Sequence, residues 1–220
     1  FMGIIGDQAE AFLENEDVAE MFAMTGEASV TDSFLATAVA MIALVASGFT
    51  VAATLRLRTE ERTNRAEAIL AAPVSRARWL TGHLVVAVAG SAVIMVVAGL
   101  AIGVGFFTQS GSADRILPVV GAALVLVTPL AVMAGLAVAL VGVAPRLTLV
   151  AWAAVALVVV VGFLGETLDL PGWLRAASPF HHTPLLPADS MAWLPVALLV
   201  AVFAALVMLA MIGARRRDIG

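Results

Sequence analysis

The residues best equipped for chemistry lie in one stretch, GETLDLPGWLRAASPFHHTPLLPADSMAW (Gly165–Trp193), which holds His181, His182, Glu166, Asp169 and Asp189. Two imidazoles and three carboxylates are metal-ligand types. Adjacent His residues point different ways on most backbones, however, and neither an HxH nor an HxxxH spacing is present, so no metal site is expected. The chain has no Cys, which excludes disulfides, thiolate catalysis and Cys-ligated metals. No nucleophile–base arrangement is evident, and no Walker A pattern occurs, so nucleotide must be bound elsewhere. The expected sets of catalytic, cofactor-binding and metal-binding residues are therefore empty. The apolar residues and four Pro of this stretch predict a short helix or re-entrant turn packed at a membrane surface. Pro179, Phe180, His181, His182 and Pro184 are its candidate gate.

The other polar feature is RLRTEERTNRAEAILAAPVSRARW (Arg56–Trp79). Thr59 is placed to N-cap a short helix with Glu60 and Glu61 in its first turn, where negative charge suits the helix dipole. Arg65 follows Glu61 by four residues, a favourable ion-pair spacing. Ala66, Ile69 and Leu70 give that helix an apolar side, and Pro73 disfavours helix at Ala72. Ser75 is placed to cap the next helix, which enters the membrane through Trp79 as an interfacial anchor. A segment that only touched anionic lipid would need positive charge alone. The mixture of Glu60, Glu61 and Glu67 with arginines suits a protein partner better.

These segments are positioned by apolar runs. With 62% hydrophobic and 13% charged residues and a mean hydropathy of +1.05, the chain carries more apolar surface than a water-facing fold can hide. Five runs are long enough to cross about 30 Å of hydrocarbon: 34–55, 80–107, 116–143, 149–165 and 193–213. None contains Asp, Glu, Arg or Lys, each of which would cost about 2.5–3.5 kcal/mol at mid-membrane. The fold class expected is all-α integral membrane, with a transmembrane domain over 34–213.

All basic residues are Arg, and their positions set a topology. The connections 56–79, 144–148 and 214–220 hold ten of them, whereas the alternate set holds only Arg115 and Arg175. By the positive-inside rule, 56–79 is the main cytoplasmic loop, 214–220 a cytoplasmic tail and 166–192 an outer loop. The N-terminal segment 1–33 is then outside. It is acidic and amphipathic, with eight carboxylates, no basic residue, and Gly26 as a possible helix stop. Exporting such a tail without a preceding span is awkward, so a missing upstream helix is expected; the alternative is a five-span protein. Within the spans, Gly99 and Gly103 have the small-xxx-small spacing that lets helices approach closely. Pro129, after Thr128, removes a helix hydrogen bond near mid-span and predicts a kink or hinge.

The run LRLRTEERTNRAEAILAAPVSRARWLTGHL resembles the cytoplasmic loop of ATP-binding-cassette (ABC) export permeases, in the branch of polyketide-antibiotic (tetronasin-type) exporters. Further matches follow in order: GVAPR (Gly142–Arg146) with Trp152 after it, SPFHHTPLLP (Ser178–Pro187) and RRRDIG (Arg215–Gly220). They extend from about Asp32 to the end. The resemblance implies that these helices are spans two to six of a six-helix unit, paired with a second such unit that is fused upstream in many members. It implies that the loop is a coupling helix seated on a cytoplasmic ATPase. Carried over, that role falls on Glu60, Glu61, Arg62, Arg65, Glu67, Pro73, Arg76 and Arg78; Asn64 stands where such exporters often have Gly.

The function expected is the permease part of an ATP-driven multidrug exporter in a bacterial cell membrane. It would move lipophilic compounds, with ATP and Mg bound by a separate ATPase in two copies and no nucleic acid involved. An ion-coupled carrier or channel is the alternative, but such proteins normally need ionisable groups inside the bilayer, and only His83, near the cytoplasmic end, is offered. An intramembrane enzyme with a site in the His-His loop is the weaker alternative.

Overall fold

The computed structural model describes residues 16–62, 76–165 and 167–216, with side chains over 31–58, 78–165 and 167–214. The described residues are helical throughout their apolar lengths. The order is α1 (Glu16–Arg62), α2 (Arg76–Ser110), α3 (Ile116–Val125), α4 (Val127–Val143), α5 (Leu149–Leu164), the short α6 (Gly172–Ala176) and α7 (Trp193–Arg216), with 3-10 turns at Pro145–Leu147 and Pro179–His182. In hydrocarbon every backbone N–H and C=O must be satisfied within the segment, which these runs achieve only as helices.

Among the described residues, four stretches are long and apolar enough to cross a membrane: Thr31–Arg58, Arg78–Ser110, Ile116–Val143 and Trp193–Ala214. The fifth apolar helix, α5, has 16 residues. At 1.5 Å per residue it rises roughly 24 Å, short of the hydrocarbon thickness of about 30 Å. The 3-10 turn Pro179–His182 packs against α4, α5, α6 and α7, so the segment after α5 folds back onto the bundle.

Two expected boundaries are corrected. The acidic segment's helix does not stop at Gly26, nor does the first span's helix end at Leu55: α1 is continuous for 47 residues, through Gly26 and on to Arg62. Thr59 therefore lies inside α1 and does not begin a helix. Between Gly48 and Arg62 there is no Gly or Pro to interrupt the backbone ladder, and Leu, Arg and Glu propagate a helix well. The third span is two helices, interrupted at Leu126, whose N–H still reaches the Ala122 carbonyl at 3.2 Å. Pro129 lacks the N–H that would meet the Val125 carbonyl, and its ring crowds that oxygen.

Small residues line the close helix contacts, large ones such as Leu57, Met95 and Leu130 fill the remaining interior, and many other large side chains lie outside. Helix α4 is central: Ala131, Ala134, Gly135, Ala137, Ala139 and Gly142 are all buried, and it packs against α1, α2, α5 and α7. Against α7 the backbones themselves meet. A Cβ at Gly142 would stand 2.6 Å from the Ala210 carbonyl oxygen, and one at Gly213 would stand 2.7 Å from that of Gly142. Large side chains such as Phe34 (72% exposed), Val86, Leu117, Leu149 and Leu198 cover the outside. So large an apolar exterior suits lipid, where association depends on close packing and not on hiding surface from water.

Trp79 was expected at the interface but is only 9% exposed, packed in a cluster with Leu57, Leu80, Leu84, Val138 and Ala210. Its indole meets the His83 ring edge-on at 5.5 Å. Here α1, α2, α4 and α7 converge, and the indole fills the space between them.

Because Gly142 sits against backbone that cannot yield, Gly142→Ala is expected to destabilise the α4–α7 packing by about 1–3 kcal/mol. Gly121 has no neighbour within 4 Å of an added Cβ, so Gly121→Ala should leave the melting temperature of the detergent-solubilised protein unchanged. Equal melting temperatures for the two variants would contradict the close approach.

Candidate functional site

One end of the bundle carries Arg56, Arg58, Arg78 and Arg146; the opposite, far end carries the 165–192 segment, Asp32 and Arg115. Of the expected coupling residues, Glu60, Glu61 and Arg62 form the last turn of α1, and Arg76 and Arg78 the first turn of α2. Arg78 is exposed. Arg65, Glu67 and Pro73, with Ser75, lie outside the described residues.

Farther along the same two helices runs a hydroxyl seam that sequence reasoning overlooked. Ser47, Thr50 and Thr54 on α1 and Ser91 on α2 are completely buried. The Thr50 and Ser91 hydroxyls are hydrogen-bonded to one another at 2.6 Å, joining the two helices. Thr50 Oγ1 is also 2.9 Å from the Ala46 carbonyl and Ser91 Oγ 2.8 Å from the Ala87 carbonyl, so each hydroxyl has acceptors on its own helix. Thr54 donates to the Thr50 carbonyl at 2.8 Å. The spacing 47, 50, 54 along one helical face was the available signal, since hydroxyls inside an uncharged span must find partners.

The two glycines singled out on α2 face α3. A Cβ at Gly99 would lie 3.0 Å from Val120 Cα and from Ala123 Cβ; one at Gly103 would lie 3.0 Å from Ile116 Cα. Pro129 is buried at the start of α4, three residues after the interruption.

At the far end, the candidate gate residues are folded together. Pro179–His182 forms one 3-10 turn. The Phe180 ring packs against the cluster containing Leu126, where the helix is interrupted, and Leu130, and against the cluster containing Leu44 and Met133. Ser178 and Thr183, which bracket the turn, are buried, and Thr183 Oγ1 donates to the Pro179 carbonyl at 3.2 Å. His181 and His182 are exposed, with their rings edge-to-face at 5.5 Å. Because its partner is a carbonyl, His182 Nε2 is the donor in the 2.8 Å bond to Ala176. Asp189 accepts the Leu185 N–H at 2.9 Å. These partners are main-chain groups, so the polar residues staple the segment's own backbone. Among the described residues no three of His, Asp and Glu assemble as a ligand set. Beside this segment, the Arg115 guanidinium pairs with the Asp32 carboxylate, and its Nε lies 3.5 Å from Asp114. This explains an arginine at the arginine-poor end: it ties the start of α3 to α1.

These features define an all-α polytopic membrane domain whose described polar groups pair chiefly with its own backbone and with one another. Residues 1–215 match the family model described as the C-terminal domain of the multidrug efflux system permease Rv1217c. The chain is 38% identical, over 98% of its length, to the multidrug efflux system permease protein Rv1217c of Mycobacterium tuberculosis. It spans 39% of that relative's length. The chain belongs to this permease family and is a multi-pass membrane protein.

Removing the interhelical hydroxyl with Ser91→Ala should cost about 0.6–2 kcal/mol, the range for such bonds in membranes. Thr50→Val combined with Ser91→Ala should cost less than the two separate losses added together, as for any directly bonded pair. Additive losses in thermal unfolding of the detergent-solubilised protein would show that the two hydroxyls are not coupled. Phe180→Ala should loosen the far-end segment, so a cysteine at the buried position 183 reacts with maleimide faster than in the Phe180 background.

Proposed function

We propose that this chain is the C-terminal membrane unit of an ATP-driven ABC exporter that moves lipophilic, drug-like compounds out of the cell. The observation that carries the reading is its membership, along nearly the whole chain, of a multidrug efflux permease family. The sequence has no Walker A pattern, so ATP and Mg belong on a partner ATPase, in two copies. The uncharged spans speak against an ion-coupled carrier, which needs titratable groups in the bilayer.

In this reading the arginine-rich end faces the cytoplasm, as the ten-to-two Arg distribution supports. The chain's first segment and the 165–192 segment then face outward. A second six-helix unit, fused upstream, completes the transport path. Glu60, Glu61, Arg62, Arg65, Glu67, Pro73, Arg76 and Arg78 engage the ATPase. Because α1 and α2 are joined through Thr50 and Ser91, a push on the connection between them moves both helices together. Pro129 and the interruption at Leu126 supply the place where the third span bends. Pro179, Phe180, His181, His182 and Pro184 close the exit, with Phe180 seated over that bend.

In proteoliposomes containing the permease and its ATPase, export of a lipophilic dye should require ATP and persist when the proton gradient is collapsed. Transport driven by a pH gradient alone would overturn the reading. Reversing both Glu60 and Glu61 to Arg should lower ATP-driven export about 5- to 150-fold, the span of a coupling free energy of about 1–3 kcal/mol. The ATPase should remain bound and hydrolyse ATP without dye stimulation. Export at the native rate would sink the assignment of these carboxylates to coupling.

A further inference from the structure

At the far end, α1 and α2 part to leave a pocket of about 700 Å³. This is within the range of small-molecule sites, roughly 300–1,000 Å³. Its apolar wall comes from Phe34 and Leu35 on α1 and Ile102 and Phe106 on α2. Gln109 and Ser110, one turn closer to the helix end, form a polar rim. Ser110 Oγ donates to the Phe106 carbonyl at 2.9 Å and accepts the Ser112 N–H at 3.3 Å, which leaves one lone pair for a ligand. The Gln109 carboxamide has no partner among the described residues. It offers both a donor and an acceptor.

We propose that this pocket binds a neutral amphipathic cargo molecule, its apolar body against the two Phe rings and its hydrogen-bonding group at Gln109 and Ser110. Two observations select that class. The first is charge: among the described residues the lining has no ionisable side chain, the sequence before Thr31 has no basic residue, and the neighbouring Arg115 is taken up by Asp32 and Asp114. A phospholipid phosphate would find no cation, and the nearby carboxylates would repel it. The second is Gly105, which also lines the pocket. An added Cβ there meets nothing within 4 Å, whereas one at Gly103, two residues earlier, would press on Ile116 Cα at 3.0 Å. Gly103 serves helix packing; Gly105 faces the open space of the pocket. That the ligand is cargo rests on the export reading, which places this end outward, where cargo leaves.

The test uses the protein in nanodiscs and a neutral monoacylglycerol carrying a diazirine, with crosslinked positions read by mass spectrometry. Labelling should concentrate in 31–35 and 102–110. Gly105→Leu should reduce it by about tenfold or more, while Gly121→Leu, at an equally open position on α3, should not. Gln109→Leu alters an exposed side chain and should weaken labelling without changing the melting temperature. Undiminished labelling in both Gly105→Leu and Gln109→Leu would overturn the proposal. So would equal labelling of this site by a diazirine phosphatidylglycerol, which would make the occupant bilayer lipid. Labelling here without ATP-driven export supports the pocket and counts against the export reading. Export without labelling here overturns the pocket alone.

Discussion

Backbone-to-backbone packing on the helix Val127–Val143 holds this bundle together. In lipid, hydrocarbon surrounds the protein on every side, so burying a Leu against another Leu gains little over leaving it in the bilayer. What remains is dispersion at short range and hydrogen bonding, and both require helices to come close. The small face of α4, formed by Gly135, Ala139 and Gly142, allows that approach, and α7 answers with Ala210 and Gly213. Other helices gather around the same element, which is why a helix with no charge and few large side chains is the most buried part of the chain.

That constraint shapes the rest. Where backbones meet only small residues fit, so large side chains fill the gaps between other helices or face outward, and polar groups are admitted only where a partner waits. The Thr50–Ser91 bond is such a case, and it joins the two helices leading to the arginine-rich connection. The far-end segment follows the same logic. Leaving α5 at 16 residues opens room at that end, and the Pro179–His182 turn occupies it with Phe180 pointed into the two apolar clusters. A helix, a bend and a cap thus meet where Leu126 interrupts the third span.

Much of this was legible without coordinates. Long uncharged runs fold as helices, so the helical character of the five apolar runs, and an irregularity near Pro129, followed from composition and proline chemistry alone. The facing of Gly99 and Gly103 toward a neighbour was readable as a tendency, though not which neighbour. Other features misled. Thr59 and Gly26 carry the local signals of helix ends, yet α1 passes through both because its backbone ladder continues on either side. Trp79 has the type and position of an interfacial anchor, but four helices converge on it. The seam of Ser47, Thr50, Thr54 and Ser91 escaped notice because hydroxyls are common in membrane helices and only their partners distinguish them.

The sequence by itself determined that this protein lives in a membrane, crosses it repeatedly as helices and belongs with efflux permeases, since hydropathy, charge placement and ordered motifs are properties of the chain alone. Only the tertiary structure decided which small residues are contacts and which are openings. Gly103 and Gly105 are two residues apart on one helix, and nothing local tells them apart. One faces the backbone of α3 and the other faces empty space, because the rotation of each helix about its axis is set by all its neighbours at once.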